Sequence, residues 1–270
     1  MPRRSSILAA SGQLERGLTL RSSQGPPPAW HLAREALVLI IRLAGQAPRR
    51  LRPLSSNVRR HKPRMSDLLL KHLERAVGPI TTIFEEIVPG QPKLDLIHIE
   101  SSFFRRYEVV VTRGMSANAM TVPPDCSEPH FAEVLAVLPK GWPVRQSAFG
   151  AEANYWPLRL LKTLAQHPFQ ANTWLGFGHT HANGSSEATV QPYAQNTELC
   201  AVVALPSLTL GEKAWSYTRE DGQRVALWAV VPLYLTELKF KQANGVDALL
   251  DLLSKHRVTD IINPTRKRVA

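Results

Sequence analysis

The chain has 270 residues, 44% of them hydrophobic, enough to bury a core in one large or two small domains, which excludes a disordered protein. Its 15 glycines and 21 prolines follow no period, which excludes collagen-like and low-complexity chains. The formal charge of +11 points first to nucleic acid, yet residues 1–64 hold 13 of the 33 basic residues against only Glu15 and Glu35, while residues 65–270 hold 20 charges of each sign.

The first 64 residues therefore read as a basic leader, and residues 65–270 as a neutral folded domain. The leader is rich in residues that oppose packing: Pro2, the run Pro26-Pro27-Pro28, Pro48, Pro53 and Pro63, with serine pairs between them. Residues 29–44 carry Leu32, Ala36, Leu39, Ile40 and Leu43 at helical spacing, but the stretch falls far short of the roughly 20 apolar residues a bilayer requires. Arg3-Arg4 has the opening of an export signal, but the apolar stretch behind it ends before the roughly 7–15 residues such a signal needs. An organelle transit peptide and an arginine-rich arm for nucleic acid remain as readings of this composition. Met65, followed by the helix-capping pair Ser66-Asp67, makes a natural chain start. The expectation is that residues 1–64 are disordered or belong to an over-extended start.

Leu69, Leu73, Ala76 and Val77 mark a first helix, interrupted at Gly78-Pro79. Ile80, Ile83, Phe84, Ile87 and Val88 then predict a second helix with Glu85-Glu86 on its wet face and Pro89-Gly90 at its end. Strands are predicted over 94–100 and 106–112, the latter alternating between a buried and a wet face, with a short strand at 120–122 and a buried one over 131–138. Residues 154–166 predict a helix ended by His167-Pro168. Residues 199–205 predict a central strand buried on both faces, and Asp221-Gly222 a tight hairpin between strands at 215–219 and 223–231. A helix over 236–243 stops at Asn244-Gly245, and a second follows with Val246, Leu249, Leu250 and Leu253 inside. Helices at both ends with strands grouped between them predict an α+β domain, a mixed, largely antiparallel sheet covered by helices.

Motifs for nucleotide binding, zinc proteolysis, hydrolase nucleophiles and dithiol chemistry are all missing from the sequence. Gly114-Met-Ser116-Ala-Asn118 breaks the nucleophile-elbow pattern at its last position. Cys126 and Cys200 are far apart, and Cys200 lies in an apolar strand, so they read as reduced cysteines of a cytoplasmic protein. His179-Thr-His181 is the one metal-like pair, open to a hydrolase reading, but no Asp or Glu lies between Glu152 and Glu187 to act as a third ligand. Its bland alternative is a structural histidine in a loop. Glu85-Glu86 would be acid/base candidates in a cleft and are expected to be solvated. Tyr155, Trp156, Trp174 and Phe177, with His179 and Thr180, form the candidate partner-binding set; such aromatics are core residues unless exposed, where they serve as anchors.

Several segments together resemble the suppressor-of-fused-like domain in its compact bacterial form. They are Gly114-Met-Ser116 with Met120-Thr-Val-Pro123, Phe131-Ala-Glu133 leading to Leu138-Pro-Lys-Gly-Trp142-Pro143, and Asn154-Tyr-Trp-Pro157 with Leu160-Leu-Lys-Thr-Leu-Ala165. Thr173-Trp-Leu-Gly-Phe-Gly-His-Thr180, Asn183-Gly184, Leu199-Cys200 with Leu205-Pro206, and Val231-Pro-Leu-Tyr234 before Glu237 complete an ordered set spanning about residues 68–264. The resemblance implies an α/β domain without enzymatic activity or cofactor that acts by binding another protein. Animal relatives hold an extended peptide between this domain and a further C-terminal one, a half that this chain is expected to lack. Bacterial relatives are linked to polymorphic toxin systems as immunity proteins, so the expected partner is a toxin domain or another protein, with neither nucleic acid nor membrane.

Overall fold

A computed structural model describes residues 65–86 and 91–270. The basic leader, the helical pattern at 29–44, and Ile87, Val88 and the Pro89-Gly90 stop lie outside the described residues. In chain order the elements are α1 (Met65–Ala76), β1 (Thr82–Phe84), β2 (Asp95–Ile99), β3 (Tyr107–Arg113), β4 (Phe131–Pro139), α2 (Glu152–Gln170), β5 (Thr180–Ala182), β6 (Ala201–Pro206), β7 (Ser216–Thr218), β8 (Arg224–Leu233) and α3 (Leu235–Lys255).

The strands form one mixed sheet in the order β1-β2-β3-β4-β8-β6-β5. Every pairing is antiparallel except β4 with β8, and β7 shares one side of β8 with β6. Alternation along the strands sends one set of side chains to α2, where Trp156, Leu160, Leu161 and Leu164 pack on Leu96, Val110, Val134, Ala136, Trp228 and Val230. The other set meets two helices. Leu69 and Leu73 of α1 cover Ile97, Val109, Leu135 and Leu227, and Leu249, Leu250 and Leu253 of α3 cover Val203, Leu205, Val231 and Leu233. The α+β architecture agrees with the sequence expectation, and α3 is broken at Gly245 as Asn244-Gly245 predicts.

Four expectations need correction. Residues 82–84 form an edge strand instead of part of a helix, because Thr81 N–H donates to the His98 carbonyl (2.9 Å) and the segment pairs with β2. Ile83 and Phe84 pack into opposite clusters, the period of a strand, and the β-branched run Ile80-Thr-Thr-Ile83 favours it. β3 has no wet face. Glu108 is buried because its carboxylate meets His98 Nε2 at 2.8 Å and accepts the Gly141 N–H at 3.0 Å. Residues 120–122 form no strand; Met120 N–H bonds to His130 and Thr121 N–H to Thr173, on two different segments. Helix α2 runs past Pro168 to Gln170, since a buried proline in the last turn removes one bond from a helix already held by its packing.

Three carboxylates with no solvent exposure anchor the loops: Glu133, Glu237 and Asp260. Glu133 accepts the Gly114 and Ser116 N–H groups (3.0 Å each), Ser116 Oγ (2.7 Å) and Thr112 Oγ1 (2.6 Å). Burial raises its carboxyl above the ordinary range while these bonds oppose the shift. The Gly-Met-Ser and Phe-Ala-Glu segments are thus two halves of one buried network. Glu237 accepts the Tyr234 N–H (2.9 Å) and Val269 N–H (3.1 Å) and pairs with the Arg266 guanidinium, fixing the C-terminal residues to the start of α3. Asp260 binds Ser207 Oγ and Thr209 Oγ1, each at 2.5 Å.

Candidate functional site

Strand β5 closes one end of the sheet. Gly178 donates to the Ala204 carbonyl (2.8 Å), Ala204 donates to His179 (2.9 Å), and Asn183 donates to Cys200 (2.7 Å). The His179 carbonyl and the Asn183 N–H therefore point to β6, and the alternation of an antiparallel ladder leaves the peptide groups of Thr180 and Ala182 facing an edge that is open among the described residues. The glycines before β5 allow this approach. Gly178 has φ of 73°, and a Cβ there would stand 2.8 Å from Val246 of α3.

The structure divides the six partner-binding candidates into three places. Trp174, Phe177, His179 and Thr180 come together, half-buried, at the entrance to β5. Trp174 meets His179 edge-on at 5.1 Å between centroids, and Phe177 bridges the core under α2 and the core under α3. Trp156 is a correction: it is fully buried, stacked on Tyr193 at 5.2 Å and edge-on to Trp142 at 6.5 Å, so it holds the core and cannot touch a partner. Tyr155 stands at the opposite edge of the sheet, packed on Phe149 (5.2 Å), which packs in turn on Phe84 (5.2 Å).

Beside the open edge lies a groove of about 220 Å³ between Ala182, Gly184, Ser186, Val190, Leu238 and Gln242. Its walls are β5, the loop that follows it and the first turns of α3. Asn183 Nδ2 holds that loop by donating to the Gln191 (2.9 Å) and Pro192 (3.1 Å) carbonyls. An extended peptide laid on this edge would find main-chain partners at Thr180 and Ala182 and a shallow seat for side chains next to them.

His179 immediately precedes β5 and His181 is its middle residue. The ring of His181 meets His167 of α2 at 4.9 Å, a neighbour the local spacing did not reveal. Burial lowers the pKa of both histidines; at His179 a hydrogen bond with the Trp174 backbone opposes the shift and Lys241 adds to it, and at His181 His167 adds to it. Among the described residues no group of three His, Cys, Asp or Glu is placed to hold a metal ion. Cys200 is buried in the sheet and Cys126 half-buried, both free. Glu85 is exposed as expected, but Glu86 is half-buried: it accepts the Leu94 N–H (3.0 Å) and lies 3.6 Å from Lys162, so it serves the β1 edge instead of solvent. Among the described residues no helix is long and apolar enough to cross a membrane.

Two aromatic residues escaped the sequence reading. Phe103 and Phe104, in the turn between β2 and β3, are 90% and 93% exposed. Their position between Ser101-Ser102 and Arg105-Arg106 was the available signal, since a turn joining two core strands points its central side chains away from both faces.

The model of the family described as Suppressor of fused protein (SUFU) matches residues 90–267. The fold is similar to that of a SUFU homologue from Neisseria gonorrhoeae FA 1090, with a TM-score of 0.56 and 13% identity over 76% of this chain and 97% of that one. It is also similar to the Sufu-Fu complex structure, with a TM-score of 0.55 and 14% identity over 77% of this chain and 93% of that one. For Drosophila Suppressor of Fused the TM-score is 0.53 and the identity 14% over 77% of this chain, which spans 51% of the Drosophila chain. No curated protein sequence matches the chain.

Proposed function

The chain belongs to the suppressor of fused family, and from that premise we propose that it is a non-enzymatic protein-binding module that takes an extended segment of its partner along the open edge of β5. The observation that carries this reading is the pair of outward peptide groups at Thr180 and Ala182, bordered by Trp174, Phe177 and His179 and by the groove under α3. Main-chain pairing supplies affinity for any extended segment, and the groove selects among side chains. The structure of a relative in its Sufu-Fu complex supports a protein as the partner. Residues 65–270 constitute the working domain.

The finer reading is an inhibitor or immunity protein acting in the cytoplasm, with a toxin domain as its target. A neutral domain steers encounters little by net charge, so affinity depends on the local edge and its aromatic border. The test is co-expression with the toxin-like product of a neighbouring gene. Growth is restored by the wild-type chain and lost again with Ala182→Pro, which removes an outward N–H. Restoration by both chains alike would reject the edge, and restoration by neither would reject the immunity role.

A further inference from the structure

Phe103 and Phe104 occupy the two central positions of a braced turn. Their rings pack edge-on at 5.2 Å, Ser102 N–H donates to the Arg105 carbonyl (2.9 Å), and Arg105 N–H donates to Ser102 Oγ (3.1 Å). The Arg105 guanidinium ties the turn to the carbonyls of Val77 (2.6 Å) and Glu100. A fixed, convex aromatic knob of this kind exposes apolar area that a folded surface ordinarily withdraws. Beside it Arg106 and Lys140 are exposed, joined by a bond from Lys140 N–H to the Arg106 carbonyl, and carry no ion pair among the described residues.

The same molecule carries a seat of matching chemistry. A groove of about 580 Å³ lies along β1, walled by Phe84, Phe149, Tyr155 and Leu96, with Glu85 on its lip. Lys162 is already held by Glu86, so among the described residues the lip's unopposed charge is the exposed Glu85 carboxylate. β1 itself is an edge strand, paired only with β2 among the described residues, and Thr81 turns its N–H toward β2. The Glu86 N–H also turns inward, to Asp95 of β2 (3.1 Å), and the His98 carbonyl opposite Thr82 faces β1, so alternation sets the peptide group of Ile83, between Thr82 and Phe84, on the open side.

We propose that this face binds a second copy of the chain through two-fold antiparallel pairing of the β1 edges, each copy's Phe103–Phe104 knob filling the other's aromatic groove. The register of β1 on β2 within one copy is compatible with it. Thr82 lies opposite His98, at the end of β2 that leads into the knob, whereas Phe84 lies opposite Leu96 in the groove. Antiparallel pairing sets the Thr82 end of one copy beside the Phe84 end of the other, so each knob passes over its partner's groove. Arg106 and Lys140 then approach Glu85 of the other copy. Such a contact is isologous and closes on itself.

The area is adequate. Each phenylalanine withdraws about 150–250 Å² when buried, so the four rings and the groove walls covering them reach roughly the 1,200–2,000 Å² of a standard interface. A lipid surface would also accept aromatic rings flanked by cations. It would leave the groove and the open β1 edge unused, so the second copy accounts for more of the structure.

The test is sedimentation velocity of the full chain over a concentration series. The wild-type chain is a concentration-dependent dimer, and Phe103→Ser with Phe104→Ser raises its dissociation constant by roughly 30-fold or more, while its melting temperature matches that of the wild type at concentrations where both are monomers. Arg106→Glu or Glu85→Arg alone weakens association by roughly tenfold, and the two together restore it. A wild-type chain that stays monomeric to its solubility limit overturns the proposal. So does a dimer untouched by the serine pair, or a monomer whose knob binds vesicles of phosphatidylcholine and phosphatidylserine.

Discussion

The two edges of the sheet end in different ways. At β5 the border is half-buried, made of Trp174, Phe177 and His179 packed into the cores beneath α2 and α3, and what it offers outward is mainly peptide backbone. At β1 the strand is equally short, but aromatic side chains dominate, from the Phe84, Phe149 and Tyr155 groove to the exposed knob of Phe103 and Phe104. An edge that offers backbone accepts many sequences, whereas an edge with a shaped aromatic seat accepts one shape. The first suits capture of a flexible segment, the second a fixed complement.

The largest effects concern what lies behind each edge. Trp156→Ala is expected to cost about 3–5 kcal/mol in denaturant unfolding, because it empties the stack with Tyr193. A cost near zero would return Trp156 to the surface. Arg266→Ala is expected to cost about 3–5 kcal/mol as well, since it strands the fully buried Glu237 carboxylate at the head of α3, below the β5 edge. The matching change near β1, Arg113→Ala, opens a pair whose arginine is 20% and whose aspartate, Asp95, is 10% exposed, and should cost less, about 1.5–3 kcal/mol. Equal costs would remove this difference between the edges.

Ala182→Pro separates binding from folding. Its N–H faces outward, so unfolding should shift by about 1 kcal/mol or less while partner affinity falls roughly tenfold. A loss of stability as large as the Trp156→Ala effect would mean that this N–H serves the fold.

Acid should act through three histidines, two of them beside β5. His179 and His181 there, and His72 of α1, all have pKa values lowered from 6.5 chiefly by burial. The unfolded chain therefore binds protons that the folded rings resist. The stability these neutral rings contribute is complete above pH 6.5 and declines as the pH falls below it. His181→Asn should flatten that decline, read as melting temperature against pH; an unchanged slope would exclude His181 as a source. The smallest effect belongs to the knob, where Phe103→Ser should leave stability within about 0.5 kcal/mol, since the side chain is 90% exposed.

Much of this was legible in the sequence where local pattern and packing agree. α1, β2, β4 and β6 were readable from their apolar runs, and the break in α3 from Asn244-Gly245. β1 was not, because a three-residue strand exists only through its pairing with β2, and Ile80, Ile83 and Phe84 satisfy a helical period by coincidence. The wet face expected for β3 failed for a related reason: Glu108 and Thr112 look solvated until His98 and Glu133, distant in sequence, meet them inside. The Trp174-to-Thr180 segment lies together in space as it does in the chain, since its glycines and aromatics are contiguous. Tyr155 and Trp156 are contiguous too, but successive helical residues point about 100° apart, so one faces the β1 groove and the other the core.

By itself the sequence determined that the excess positive charge lies within residues 1–64 and that the α+β pattern follows in a stretch of balanced charge, and its ordered motifs carried the family resemblance. Those are properties of local composition and of residues close in the chain. The tertiary structure alone decided which aromatics are core and which are surface, that Glu133 joins two motifs into one buried network, and that the sheet ends in two unlike edges. Burial and strand pairing bring together residues far apart in sequence, and the exposure of a side chain is set by those distant neighbours.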